Sequence, residues 1–163
     1  MQVKLAALPT IDSIVDGLGL RTVIWFQGCL HHCKNCHNPS TWDMNSGIIS
    51  DTDEIVNFYL QQKLQSGITI SGGDPFYQSN PLLDLLQKLK QYHINIWVYT
   101  GFTYEYLYDN FNTHLQYIDV LVDGLFIEKL KTYSIPFRGS TNQRVIDVLN
   151  SSRNNVIEVK FND

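Results

Sequence analysis

All three cysteines of the chain fall in one short segment, GCLHHCKNCHNP, residues 28–39: Cys29, Cys33 and Cys36. His31, His32 and His37 stand between or beside them. Thiolates bind soft metals and iron–sulfur clusters. Three thiolates on a four-iron cubane would anchor three irons and leave the fourth open to a further ligand. The competing reading is zinc, with a histidine completing a Cys3His set. Against it, the C-x3-C-x2-C spacing differs from the common C-x2-C pairs, and His37 directly adjoins a ligand. Three inert buried cysteines are the weakest reading, because buried thiols keep apolar neighbours and these are surrounded by Lys, Asn and His.

A second candidate group is SGGDP, residues 71–75. Gly72 and Gly73 would let a ligand approach bare backbone, and Asp74 offers a carboxylate to an ammonium group. A plain turn into the next helix is the alternative. DGLGLR, residues 16–21, looks like a phosphate loop, but it precedes a strand pattern where dinucleotide loops follow one. It reads as a structural turn unless it borders the cysteine segment. Arg138, His93 and His114 read as surface groups, and Trp25, Trp97 and the tyrosines of TYEYLY as packing residues.

The elements that must position these groups alternate. Runs rich in Val, Ile and aromatic residues predict strands at 21–27, 68–71, 94–100, 118–124 and 156–161, with a short edge strand in QVKLAAL near the start. Helix patterns lie between them. SDTDEIVNFYLQQKL, residues 50–64, opens with Ser50 and acidic residues and aligns Val56, Leu60 and Leu64. SNPLLDLLQKLKQY, residues 79–92, aligns Leu82, Leu86 and Leu89. TYEYLYDNF is a shorter candidate. STNQRVIDVLN, residues 140–150, has Ser140 and Gln143 at capping-box spacing ahead of Val145, Ile146 and Leu149. Strands alternating with helices predict an α/β fold with a mainly parallel sheet. Five to six such units are too few for a closed eight-stranded barrel, so an open or partial (β/α) barrel is expected. In such sheets function collects at the carboxyl ends of the strands. GCLHHCKNC, GGDP, GF and DG each follow a predicted strand and would meet on that one face.

A chain of 163 residues suits one domain, residues 1–163. A net charge of −4 argues against a nucleic-acid backbone as the main partner. No apolar stretch is long enough to span a bilayer, and the start lacks a secretory pattern. The expected location is the cytoplasm, where thiols stay reduced and clustered cysteines indicate metal binding or catalysis rather than disulfides.

With the strand-end segments assembled, the sequence resembles the radical S-adenosylmethionine enzymes. Their hallmark pair is C-x3-C-x2-C after the first strand and GGD/E-P after the second. Within that superfamily, DGLGLRTVIWFQGC, CHNPSTWD, ITISGGDPF, IWVYTGFTYE, IDVLVDGLF and FRGSTNQRVIDV are similar to the family that activates anaerobic ribonucleoside-triphosphate reductase. They occur in family order over about residues 14–148. The resemblance implies a [4Fe–4S] cluster on Cys29, Cys33 and Cys36, its open iron chelated by the amino and carboxylate groups of S-adenosylmethionine. It sets Asn35, Cys36 and His37 beside the nucleoside and Gly72, Gly73 and Asp74 beside the methionine end. Thr100, Gly101 and Asp123 would line the rest. Many members carry an aromatic residue where this chain has Asn35, so a contact to adenine there would pass to His37 or be missing.

The implied activity is that of a radical S-adenosylmethionine oxidoreductase whose chemistry belongs to its cofactors, with no general acid, base or nucleophile of its own. A flavodoxin-type donor would supply one electron, and the sulfonium would break into methionine and a 5′-deoxyadenosyl radical. That radical would take hydrogen from a glycine on the large subunit of the reductase. The implied assembly is a homodimer, or a heterotetramer with the reductase. The alternatives are an activase of another glycyl-radical enzyme and a non-catalytic zinc-binding interaction domain.

Overall fold

The computed structural model of the protein describes residues 1–161. In chain order it forms β1 (Gln2–Leu5), β2 (Thr10–Ser13), β3 (Arg21–Phe26), β4 (Ile48–Asp51), α1 (Thr52–Leu60), β5 (Gly67–Gly72), α2 (Ser79–Lys90), β6 (Ile96–Tyr99), α3 (Tyr104–Asn110), α4 (Asn112–Leu115), β7 (Val120–Asp123) and β8 (Arg144–Asp147). Among the described residues no helix is long and apolar enough to cross a membrane.

The strands make one mixed sheet in the order β4-β1-β3-β5-β6-β7-β8, with β2 also paired to β3. The sequence predicts five or six mainly parallel strands; the sheet has eight, and only β3, β5, β6 and β7 form parallel pairs. Those four are the β-branched and aromatic runs read from the sequence. The remaining four pair antiparallel. β2 and β4, TIDS and IISD, are too short and polar to announce themselves by hydrophobic pattern. β1 is not an edge strand, since it lies between β3 and β4.

Period-two alternation sends each parallel strand's side chains to two different environments. Ile24 and Phe26, Ile68 and Ile70, Ile96 and Val98, and Leu121 join Ile55 and Val56 of α1, the α2 leucines, and Tyr104 and Leu107 of α3 in the main core. Leu82, Leu85, Leu86 and Leu89 are all fully buried there, each worth about 1.5–3 kcal/mol relative to an exposed position. The opposite face is mixed rather than apolar. It carries Trp97, Val122 and Val145 in a smaller cluster, and Trp25 in register with Ser71. At its amino end lies Arg21, 1% exposed. The Arg21 donors meet Thr69 Oγ1, the Asn95 side chain and the carbonyls of Leu18, Ile68 and Asn95. Burial lowers this guanidinium to about 10, and it lies 5.5 Å from the centre of the Trp97 ring.

Four local expectations are overturned. The helix predicted over 140–150 is the strand β8. Val145 and Ile146 there point to opposite sides, into the smaller and the main core respectively, while Leu149 is 85% exposed. The capping-box bond still forms, with Gln143 Oε1 accepting the N–H groups of Gly139 and Ser140, but it closes a turn. The strand predicted over 156–161 is reduced to a single bridge, Ile146 to Glu158, beside β8. The first helix ends at Leu60, with Asp51 rather than Ser50 capping it, and Leu64 is 80% exposed. His114, read as a surface residue, is buried between Phe76 and Phe111.

Candidate metal and cofactor site

The segment after β3 begins with two backbone bonds that pin its base. Gly28 N–H donates to the Thr41 carbonyl at 2.7 Å, and Cys29 N–H to that of Trp42 at 3.2 Å. Between these anchors the chain turns twice through the left-handed region, at His32 (φ 52°) and Asn35 (φ 55°). His32 stacks flat on Trp42 at 4.5 Å. Lys34 and Asn35 reach across to Glu128, beyond β7.

The end of β5 is sewn to the same place. Gly73 N–H donates to the Phe26 carbonyl and Asp74 N–H to that of Gly28, both at 2.8 Å. A Cβ on Gly73 would lie 2.4 Å from the Gly28 oxygen, so the position is closed to side chains. The glycine read as access for a ligand is therefore required first by backbone meeting backbone.

Asp74 is 1% exposed, and its carboxylate is already occupied by the protein. It accepts the Phe76 N–H, the Thr100 hydroxyl, the Gly101 N–H at 2.9 Å and His31 Nε2 at 2.6 Å. Neither oxygen is held in reserve for an ammonium group, and the residue sits behind the cleft wall.

What opens in front of that wall is a cleft of about 360 Å³. Cys29, Cys33 and Cys36 line it with His31 and His37, facing Gly72, Gly73, Thr100 and Gly101. Trp25, Tyr99 and Phe126 give it aromatic surface, and Asp16 and Gln143 complete its edge. His37 lies 5.2 Å from the Phe126 ring. Besides Asp74, two predicted residues are not brought in. Asn35 is exposed and turned to Glu128. Asp123 is buried against Arg144 and the Tyr104 N–H, beside a separate surface groove.

The donors suit an iron–sulfur cluster. All three thiols are free and line the cleft. Among the described residues no three His, Cys, Asp or Glu groups are gathered closely enough to hold one metal ion. Burial pushes the Cys29 thiol up to about 11 and raises Cys33 as well. Metal binding at neutral pH must therefore displace protons.

Several cleft residues lie outside the sequence-based set. Trp25 reads as packing and Tyr99 only as part of a predicted strand, yet strand alternation puts Trp25, Ser71 and Tyr99 together on the face away from the helices. Asp16 opens DGLGLR, read as a structural turn unless it borders the cysteine segment, and in the cleft it does; Gln143 was read only as half of a capping box. His31 carried no signal beyond its place between two cysteines.

Residues 15–146 match the family model described as a 4Fe-4S single cluster domain. The anaerobic ribonucleoside-triphosphate reductase-activating protein of Vibrio cholerae is 38% identical over 138 residues, which is 80% of this chain and 89% of the relative. The protein of the same name from Escherichia coli K12 is 38% identical over 140 residues, 81% of this chain and 91% of the relative. The crystal structure of QueE from Escherichia coli shows a partial likeness, with a TM-score of 0.48 at 18% identity, covering 62% of this chain and 53% of that one. Three cysteines lining one cleft, a cluster-domain match over most of the length and relatives aligned over 80–81% of the chain agree: the chain belongs to the family of anaerobic ribonucleoside-triphosphate reductase-activating proteins.

Proposed function

We propose that the protein activates anaerobic ribonucleoside-triphosphate reductase by creating a glycyl radical on it, with S-adenosylmethionine as the source of the radical. The observation that carries this reading is the meeting of all three cysteines with Gly72, Gly73, Thr100 and Gly101 around one cleft, at the carboxyl ends of three adjacent parallel strands. Cys29, Cys33 and Cys36 would hold a [4Fe–4S] cluster. When bound, the cluster supplies one electron, received from a flavodoxin-type donor, that cleaves S-adenosylmethionine to methionine and a 5′-deoxyadenosyl radical able to take hydrogen from a glycine of the reductase large subunit.

The chain's own residues bind, aim and shield. Gly72 and Gly73, which pack too closely on the backbone of Phe26 and Gly28 to carry side chains, bring bare backbone to the cofactor's methionine end. Thr100 and Gly101 form the adjoining wall. His37, held near Phe126, lies against the nucleoside together with Cys36. Trp25, Tyr99 and Phe126 cover the cleft with apolar surface and keep water from a radical. Asp74 contributes by ordering the walls rather than by contact, and Asn35 and Asp123 act from outside the cleft. In this reading one cytoplasmic domain carries the whole site, and the sheet is the open or partial (β/α) barrel expected from the alternation of strands and helices.

The test is anaerobic reconstitution with iron and sulfide, then reduction and mixing with S-adenosylmethionine and the reductase large subunit. We expect about four irons per chain, and a glycyl radical by electron paramagnetic resonance accompanied by methionine and 5′-deoxyadenosine. Cys33→Ala should lose the iron and the radical while keeping its circular dichroism spectrum. A wild-type protein that takes up stoichiometric zinc and gives no radical would overturn the reading, as would a radical formed equally well by Cys33→Ala.

A further inference from the structure

His31 lies between the first two cysteines, yet its ring is held by residues far away in the chain. Its side chain is 12% exposed, and Nε2 meets Asp74 Oδ2 at 2.6 Å. The ring packs edge-on to Phe102 at 4.6 Å and tilts against Tyr77 at 5.3 Å. A Cβ on Gly101 would lie 2.7 Å from it, so the bare backbone there makes room for the imidazole. Asp74 in turn holds the Thr100 hydroxyl and the Gly101 N–H. One hydrogen bond thus joins the loop after β3 to the ends of both β5 and β6. Among the described residues it is the only side-chain hydrogen bond from Cys29–Cys36 to either of those strand ends.

We propose that His31 is a positioning residue for the cysteine loop, acting through Asp74. The loop needs such a tether. It passes twice through left-handed backbone, and its other side-chain attachments run outward, to Trp42 and Glu128. With Nε2–H donating to the carboxylate, the wall bearing Cys29 and Cys33 stands at a set distance from the wall bearing Thr100 and Gly101. That distance matters for a ligand that must touch both walls at once, and in this respect the inference rests on the function proposed above. Its structural half does not.

The experiment compares metal-free and reconstituted protein. In the metal-free form, His31→Ala should speed backbone hydrogen exchange at Cys29–Cys36 and at Gly101 by about tenfold, the loss expected when a hydrogen bond to a charged group is removed. His31→Gln, whose amide N–H can reach the position of Nε2, should restore most of the protection. After reconstitution, His31→Ala should keep its iron but need about tenfold more S-adenosylmethionine to change the electron paramagnetic resonance spectrum of the reduced cluster. His31→Gln should need little more than wild type. Unchanged exchange in His31→Ala would overturn the proposal, as would His31→Gln behaving like His31→Ala. Should His31→Ala fail to fold, His31→Leu replaces it in the same comparison. If the wild-type protein binds no S-adenosylmethionine, the proposed function fails, while the exchange rates still decide whether His31 holds the loop.

Discussion

Arg144 on β8 grips Asp123 on β7 with two bonds, Nε to Oδ1 at 3.1 Å and Nη2 to Oδ2 at 2.6 Å. The same guanidinium forks onto Glu105 of α3. Asp123 and Glu105 together raise the Arg144 pKa well above its ordinary range. Asp123 is 1% exposed, so losing the arginine leaves a buried carboxylate with, among the described residues, only the Tyr104 N–H. Arg144→Ala should therefore cost about 3 kcal/mol, or a fall in Tm of about 6–12 °C for a chain of this size. Arg153 pairs with Asp109 on the surface, and Arg153→Ala should change stability by less than about 1 kcal/mol. Equal melting curves for the two variants would show that Asp123 does not depend on Arg144.

Gly73→Ala tests how tightly the two loops are joined. The new Cβ would press on the backbone of Gly28 and Thr41, at 2.4 and 2.9 Å, neither of which is the end of a flexible side chain. The expected response is separation of the two loops and weakening of the Asp74 N–H bond to Gly28, at a cost of about 1–3 kcal/mol. Because Cys29 follows Gly28, iron retention after reconstitution should fall severalfold. Gly124→Ala is the comparison. It is strained by its φ of +95° but meets nothing nearer than 3.7 Å, so it should lose stability and keep its iron. Full iron in Gly73→Ala would contradict this account.

His114 predicts a pH dependence of stability. Its Nε2–H donates to the Ser79 carbonyl at 2.8 Å, and buried Nδ1 has no partner among the described residues. That arrangement suits a neutral ring, and burial lowers its pKa below 6.5. The unfolded chain takes up a proton near 6.5 while the folded chain does not. The stability associated with this residue is thus complete above that pH and is lost as pH falls through the window beneath it. Measured by thermal unfolding between pH 7.5 and 5.5, His114→Gln should lose less Tm on acidification than wild type. Parallel curves would remove His114 as the cause.

The cysteine segment, the glycines after β5 and the four parallel strands were legible because each is a local pattern. Three thiols a few residues apart must lie near one another. A run such as RTVIWF favours an extended strand by its β-branched and aromatic side chains, and leucines at helical spacing define α2. The segment 140–150 was not legible in the same way. Val145 and Ile146 satisfy one face of a helix or both faces of a strand, and the Ser140–Gln143 spacing serves a cap or a turn. Pairing with β7 decided between them, and no local signal reports which strand lies alongside.

The chain by itself determined the donor set, three cysteines in one loop, and the order in which chemistry-bearing turns follow strands. Tertiary structure decided which groups those turns meet. His31 and Asp74 are 43 residues apart, and their contact depends on β3 and β5 lying side by side in one register. The same packing turned Asp74 from a presumed ligand into a holder of Thr100, Gly101 and His31, and drew Asp123 away to Arg144. A side chain's type is local, but the partners that satisfy a buried charge are set by whichever strands and loops the fold brings within hydrogen-bond reach.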